Sequence, residues 1–460
     1  MILEMDSFSS DDTIAAVATA VAPGEGGIAV IRLSGPQAQA AVQAVVQVPG
    51  RQVWASHRVL YGHALAADGV QHLDEVLVLV MAGPRSFTGE DVVEIHCHGG
   101  VIAVQQVLER VLAQPDVRRA LPGEFSQRAV LNGRLDLTRA EAISDLVAAR
   151  SRRAAELAMA GLDGGIQAQI TALRERLLDQ LTELEARVDF EEDLPPLDGD
   201  ALLNELQAVG DGLRQLVADG RRGDALRQGL RVALVGRPNV GKSSLLNRLS
   251  RRERAIVTEL PGTTRDLLES EIVLQGVPIT LLDTAGIRTT SDAVEQLGIA
   301  RSEEALASAD VVLLVVDGHQ GWTDEDAALL QRIPDAVPRL VVANKGDRPP
   351  GPMPETVTVD VTISAITGAG EETLIQSLLA RCGVAETSGV LLALNARQRD
   401  LALRAAEALE RSQEVAAQQL PWDFWTIDLR EAIRALGEIT GEELTEAVLD
   451  RVFSRFCIGK

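Results

Sequence analysis

The stretch Gly236–Ser244, GRPNVGKSS, constrains this chain more than any other. An apolar run, Val232–Val235, precedes it and helix-like text begins at Leu245, so its glycines stand where a strand turns into a helix. Gly236 and Gly241 let the backbone curl until successive N–H groups point inward. Lys242 can then reach the outer phosphates of a nucleotide, and Ser243 offers a hydroxyl to a magnesium ion. The first turn of the following helix adds the positive end of its dipole. A cradle of this kind belongs between a buried strand and its crossover helix, which commits the surrounding residues to an open α/β sheet.

The text downstream agrees. Val311–Val316 and Leu340–Ala343 read as buried parallel strands, Ile272–Val273 and Thr280–Leu282 as strand pieces, and helical text lies between them: a doubly wound pattern. Four stretches follow the cradle in order: PGTTRD at Pro261–Asp266, DTAG at Asp283–Gly286, NKGD at Asn344–Asp347, and SAITGAG from Ser364. Asp283, at a strand end, can hold a magnesium shell through water, and Gly286 leaves room for its N–H to meet the terminal phosphate. Thr264 can add a hydroxyl to the same metal when its loop closes. The Asp347 carboxylate can accept two hydrogen bonds from the guanine edge, which adenine does not supply, so the series specifies a guanine nucleotide. The residue after DTAG is Ile287, where Ras-like enzymes place a glutamine that orients the attacking water. Isoleucine cannot do that. The nearby carboxylates Asp292 and Glu295 are candidates to replace it, unless both are solvated residues at a helix start.

Outside this region the pattern changes. Near the N-terminus, β-like runs Ile14–Ala18 and Ile28–Leu33 flank a turn at Pro23–Gly27. Helix-like Gln37–Val48 and strand-like Val53–Leu65 and Glu75–Met81 follow, giving an α+β class. In SFTGEDVVEIHCHGG, Ser86–Gly100, the strand marked by Val92, Val93 and Ile95 places Glu94, His96 and His98 on one face. Cys97 points the other way and no second ligand pair follows at finger-like spacing, so this face reads as a hydrogen-bonding surface rather than a zinc site. From Pro122 the text turns helical, with Leu135, Leu137, Ala142, Ile143, Leu146 and Val147 at helical spacing. Long helices are expected over Ile166–Phe190 and Ala201–Ala218, with an acidic, Pro-containing break at Glu191–Asp200. After Gly389 they resume over Leu401–Gln418, Phe424–Leu436 and Glu442–Phe456. Each flank carries amphipathic faces that need partners, so the economical arrangement is one helical domain made from both, with the nucleotide domain inserted. The expected divisions are 1–127, 128–227, 228–384 and 385–460.

With 460 residues, 46% of them hydrophobic, the chain can fill the cores of two or three domains. Its longest apolar runs are too short to span a bilayer, and MILEMDSFSSDD lacks the layout of a secretion signal. Cys97, Cys382 and Cys457 are too few and too scattered for a disulfide framework. These features give the expectation of a cytoplasmic protein with no membrane association. A net charge of -23 repels nucleic acid at long range, so any RNA contact must be local. The basic spots Arg150, Arg152, Arg153 and Arg251, Arg252, Arg254 read as solvated faces, and 3% aromatic content supplies little for base stacking.

The C-terminal FCIGK, Phe456–Lys460, joins PGEGGIAVIRLSG, SFTGEDVVEIHCHGG and LPGEFSQRA outside the nucleotide segment. With them the chain resembles, along essentially its whole length, the MnmE (TrmE) family of tRNA-modification GTPases. The resemblance implies a multidomain α/β and α+β protein: an N-terminal folate-binding domain that dimerises, a discontinuous α-helical domain, and an inserted Ras-like P-loop GTPase domain. It implies a homodimer and a flavoprotein partner, MnmG (GidA), in a heterotetramer or larger complex. Together they add a carboxymethylaminomethyl or aminomethyl group to the five-position of the wobble uridine of certain tRNAs. The one-carbon unit comes from 5,10-methylenetetrahydrofolate or a related tetrahydrofolate.

Carried over by position, the family pattern assigns nucleotide contacts to Asn239, Val240, Gly241, Lys242, Ser243 and Ser244 in the cradle. It adds Thr258, Glu259, Leu260, Pro261, Gly262, Thr263 and Thr264 in the next loop, then Asp283, Thr284, Ala285 and Gly286. The base side takes Asn344, Lys345, Gly346 and Asp347 with Ser364, Ala365 and Ile366. Ser243 and Thr264 match magnesium ligands. Asn239, Thr258, Leu260 and Thr263 match the surroundings of a potassium ion that bridges phosphates between two GTPase domains and does the electrostatic work of an arginine finger. Glu295 matches the carboxylate that positions water, Arg265 an arginine needed for activity, and Cys457 a cysteine required for modification. Arg32, Glu94, Arg134 and Lys460 match the folate site; Arg134 stands where many members carry lysine. The rival reading is a ribosome-assembly or other RNA-associated GTPase, which shares DTAG and NKGD but usually appends RNA-binding or second GTPase domains.

Overall fold

Period-two alternation of apolar and polar side chains organises the first part of the chain. In the computed structural model, which describes residues 12–24, 26–190, 198–251, 253–254, 269–283, 306–384, 392–418, 421–443 and 445–460, two compact units are present. One comprises 1–144 with 440–460, the other 145–439.

In the first unit, β1 (Thr13–Val17), β2 (Ile28–Ser34), β3 (Val46–Gln47), β4 (Arg58–Leu65), β5 (His72–Met81), β6 (Val92–His98) and β7 (Val117–Arg119) form one sheet in the order β3-β4-β5-β6-β2-β1-β7. It is antiparallel except where β7 runs parallel to β1. Ala29, Ile31 and Leu33 of β2 and Val93, Ile95 and Cys97 of β6 share a core with Val42 of α1 (Ala38–Val45) and Val104 and Val107 of α2 (Val101–Leu112). Each valine, leucine or isoleucine so removed from water stabilises the unit by about 2 kcal/mol. The opposite parity carries Arg32, Glu94 and His96, as the alternation predicts. The expected helix Gln37–Val48 stops sooner because Val46 and Gln47 pair with Ala64 and His63 of β4; sheet pairing overrides a helical spacing that Val46 and Val48 would have continued.

On that opposite side, Ile14, Ala16 and Ala120 pack with Phe125 of α3 (Glu124–Leu131). α4 (Leu137–Ala148) begins in this unit, where Leu137 and Ala140 join Val130 in a further small core.

The second unit opens with α5 (Arg152–Leu162), α6 (Gly165–Phe190) and α7 (Gly199–Gln228). α7 runs ten residues past the expected end at Ala218, and Gly223 within that extension is a packing position. A Cβ added at Gly223 would lie 2.2 Å from the Ala393 Cβ, so the bare backbone is what admits that segment. β8 (Leu230–Val235), α8 (Lys242–Leu249), β9 (Glu253–Arg254), β10 (Glu269–Leu274), β11 (Val277–Asp283), β12 (Val311–Asp317), α9 (Asp324–Arg332), β13 (Arg339–Asn344), β14 (Val361–Thr362) and α10 (Glu371–Arg381) follow. Their sheet has the order β14-β13-β12-β8-β11-β10-β9. β8 is parallel to β11 and β12, and only β10 and β9 run antiparallel to their neighbours. The continuous apolar runs that marked β12 and β13 are buried throughout β12 and from Leu340 onward in β13, as strands covered on both faces should be.

α11 (Ala396–Ala417) and α12 (Trp422–Thr440) then pack with α6 and α7 around Ile170, Leu177, Leu206, Leu213, Leu409 and Leu436. The chain returns to the first unit with α13 (Glu446–Phe453), whose Leu449, Val452 and Phe453 complete the core of Val130 and Leu137.

Candidate functional site

Register aligns the carboxyl ends of four strands. Asp283 of β11 lies beside Leu234 of β8, Leu314 of β12 beside Val235, and Asp317 beside Asn344 of β13. The loops that carry the sequence motifs therefore leave the sheet from one edge, the edge at which open α/β sheets bind ligands. In the cradle, Asn239 and Gly241 both adopt left-handed conformations, with φ of 65° and 100°. A Cβ at Gly241 would lie 2.3 Å from the Asn344 Nδ2, so glycine is required by position as well as by backbone. Lys242 Nζ donates to the carbonyl oxygens of Gly236 (2.5 Å) and Arg237 (2.8 Å). The ammonium is thus held against the carbonyl oxygens of its own loop. Ser243 and Ser244 are exposed on the first turn of α8.

The base side is tied to the cradle by Asn344, which is buried. Its Nδ2 donates to the Val240 carbonyl at 2.9 Å, and its Oδ1 accepts from the Ala365 N–H at 3.0 Å. The Ser364 hydroxyl donates to Asp347 Oδ1 at 2.7 Å and accepts from the Thr367 N–H at 3.2 Å. That hydroxyl holds the Asp347 carboxyl below the ordinary aspartate range, keeping an exposed acceptor pair ionised. Lys345 Nζ contacts Asp317 Oδ2 at 2.5 Å, and Ile366 is 72% exposed. Three separated motifs so converge through one asparagine and one serine.

A second cluster lies within the first unit. Arg32 and Glu94 face each other across β2 and β6 and pair at 2.8 Å from Nε to Oε1. His96 Nε2 lies 3.4 Å from the other Glu94 oxygen. The Arg32 guanidinium stands 5.4 Å from the Phe87 ring centroid and 5.7 Å from that of Phe125, within cation–π range. Arg32 Nη1 also donates to the Gly459 carbonyl at 3.4 Å, so the C-terminal turn closes over the sheet face. Gly459 has φ 95° and approaches so closely that a Cβ would lie 2.4 Å from the Val17 oxygen. Burial, then the positive charge of Arg32, push the Lys460 ammonium below its usual value. Cys457 is exposed.

Beneath Phe125, Glu124 is fully buried and takes both ends of Arg118, at 2.9 and 2.5 Å, together with Arg128 at 3.2 Å. Asp12 joins the same two arginines, each at 2.6 Å. This network anchors the turn that presents the ring to Arg32. The rings were missed in the sequence, although each stands in a quoted motif, SFTGED and LPGEFS.

Residues 13–134 match the family described as GTP-binding protein TrmE N-terminus, and residues 137–457 match the MnmE helical domain. The tRNA modification GTPase MnmE of Parasynechococcus marenigrum (strain WH8102) is 81% identical over 452 residues, covering 98% of this chain and 100% of that protein. The chain belongs to the MnmE family. The MnmE of Prochlorococcus marinus (strain MIT 9303) is 73% identical over 455 residues, covering 97% of this chain and 98% of that protein. Among solved structures, the G domain of T. maritima FeoB is 27% identical over 33% of this chain and 98% of its own, with a TM-score of 0.25. Full-length membership sets aside the ribosome-assembly alternative.

Of the positions that the MnmE pattern singles out, the structure brings together Asn239–Ser244 with Asn344–Asp347 and Ser364–Ile366, and separately Arg32, Glu94 and Lys460. Arg134 is exposed on the turn after α3, and among the described residues its side chain makes no hydrogen bond or ion pair. Thr258, Glu259, Leu260, Pro261, Gly262, Thr263, Thr264, Arg265, Thr284, Ala285, Gly286 and Glu295 lie outside the described residues, as do Ile287 and Asp292. Asp283 is placed by its backbone at the end of β11. Of the basic spots, Arg150 pairs with Glu271 and Arg153 with Glu156. Among the described residues no helix is long and apolar enough to cross a membrane.

Proposed function

We propose that this chain hydrolyses GTP and uses that cycle in the modification of tRNA. The observation that carries the reading is the Asn344 bridge, which joins a phosphate cradle to a base loop whose ionised Asp347 is the acceptor that guanine requires. The cradle residues Asn239–Ser244 bind the phosphates together with Thr258–Thr264 and Asp283–Gly286, and Asn344–Asp347 with Ser364–Ile366 bind the base. Ser243 and Thr264 hold magnesium. Asn239, exposed and left-handed, takes part with Thr258, Leu260 and Thr263 in holding potassium, which supplies positive charge between the phosphates. Glu295 orients water in place of a glutamine, and Arg265 assists.

The second cluster suits a tetrahydrofolate. Glu94 offers a carboxylate to the amide-like edge of a pterin, Phe87 and Phe125 flank the site, and Arg32, Lys460 and Arg134 supply charge for the acidic tail. The exposed Cys457, three residues from Lys460, serves the modification step with a flavoprotein partner of the MnmG kind. Val59, Tyr61 and Leu77 are 60%, 40% and 45% exposed on the free face of β4 and β5, an apolar surface that supports homodimerisation through this domain. The domains follow as 1–127, 128–227 with 385–460, and an inserted 228–384, in a cytoplasmic protein.

The test is GTP turnover in potassium against sodium at equal ionic strength. The reading expects a loss of about tenfold or more in sodium, the scale of one transition-state charge contact; equal rates would remove the potassium assignment.

A further inference from the structure

Arg237 is the second residue of the phosphate loop, and its side chain is only 13% exposed. Its Nε donates to Asp326 Oδ1 at 2.8 Å and its Nη2 to the Gly321 carbonyl at 3.4 Å. Asp326 is fully buried in the first turn of α9, where Oδ2 accepts from the Thr323 N–H at 3.0 Å and the Thr323 hydroxyl at 2.9 Å. Both carboxylate oxygens are therefore engaged, and the group is locked in one orientation by the capping box of its own helix. A buried carboxylate held this way can accept the guanidinium in only one place. The Arg237 carbonyl, in turn, is one of the two oxygens on which Lys242 rests.

The other end of the same connection grips the base loop. Asp317, which ends β12 and is 2% exposed, takes Lys345 Nζ at 2.5 Å and the N–H groups of His319 and Gln320 at 3.0 and 3.1 Å. One connection, 317–326, so holds an arginine of the cradle at one end and the lysine of NKGD at the other. Neither carboxylate is open to solvent, so each acts through the basic side chain it holds.

We propose that Asp326 is a positioning residue for nucleotide binding, which through Arg237 fixes the front half of the phosphate loop and so presents Lys242 and the loop N–H groups in their binding arrangement. The proposal rests on the guanine-nucleotide reading above. A loop already held in its bound shape spends less of its binding energy on ordering.

The experiment uses the full-length chain, titrated with fluorescent GDP and GTP, with thermal unfolding of the nucleotide-free protein alongside. Asp326→Asn and Arg237→Met should each weaken both nucleotides about tenfold, the scale of one lost charge-assisted hydrogen bond, and each should lower the melting temperature. The double variant leaves no unpaired buried charge. It should therefore regain much of the melting temperature while nucleotide affinity stays low. Affinity that recovers together with the melting temperature, or single variants that bind as the parent does, would overturn the proposal. A parent protein that does not prefer GDP to ADP would instead overturn the guanine-nucleotide reading itself.

Discussion

Replacing Asn344 by alanine removes a side chain that joins cradle and base loop directly. Two hydrogen bonds go with it, to the Val240 oxygen at 2.9 Å and from the Ala365 nitrogen at 3.0 Å. The position is 2% exposed, and each backbone group left without its partner costs about 1–3 kcal/mol. Water entering the vacated space recovers part of this, so the pair is worth ~2–4 kcal/mol. Some of that cost appears as lost stability of the nucleotide-free protein, and the rest when a ligand must order loops that Asn344 no longer holds. At 1.4 kcal/mol per decade, GDP affinity should fall roughly ten- to a hundredfold. Asn344→Asp should do no better, since it keeps an acceptor for Ala365 but turns a second acceptor toward the Val240 oxygen. Urea unfolding of the free protein and titration with fluorescent GDP measure the two parts. Stability unchanged within about 0.5 kcal/mol together with GDP affinity unchanged within about twofold would refute the bridge, since both lie below the effect of one buried hydrogen bond.

Two further outcomes follow from the same geometry. Burial raises the Cys97 thiol to about 12 and the Cys382 thiol to about 11, whereas Cys457 is exposed. Thiol labelling of the native protein near pH 8 should therefore show one fast-reacting group that Cys457→Ser abolishes; a fast phase that survives this change would contradict the raised values of the buried Cys97 and the half-buried Cys382. Although burial opposes it, the hydrogen bonds from Arg118 and Arg128 hold the Asp12 carboxyl below its usual value of 3.8. Its folded pKa is depressed, so its stabilisation is present above that value and is lost as pH falls through the folded pKa. The stability gap between the parent and Asp12→Asn should accordingly narrow in acid, and a gap constant from pH 7 to strongly acidic solution would remove the ionised pair from the account.

The cradle was legible in the sequence because each of its requirements is local: glycines at the turns, a lysine and a serine at the helix start, and an apolar strand before them. β12 and β13 were legible for the same reason, since a strand buried on both faces is a continuous apolar run. What the sequence concealed depends on distant partners. Arg237 and Asp326 are 89 residues apart, and nothing in the text around either one names the other. The expected helix end at Ala218 misses the extension in which Gly223 packs against Ala393, and Val46, inside the expected helix Gln37–Val48, pairs with β4 instead. Phe87 and Phe125 were written inside recognised motifs, yet only the fold brings both rings to Arg32.

The most direct test of the account is mass analysis of tRNA nucleosides from cells that lack this protein, compared with cells expressing the parent chain or Cys457→Ser. The account predicts that the aminomethyl-type group on the wobble uridine disappears without the protein, returns with the parent chain, and stays absent with Cys457→Ser. Wobble uridines that keep the modification in cells lacking the protein would contradict it.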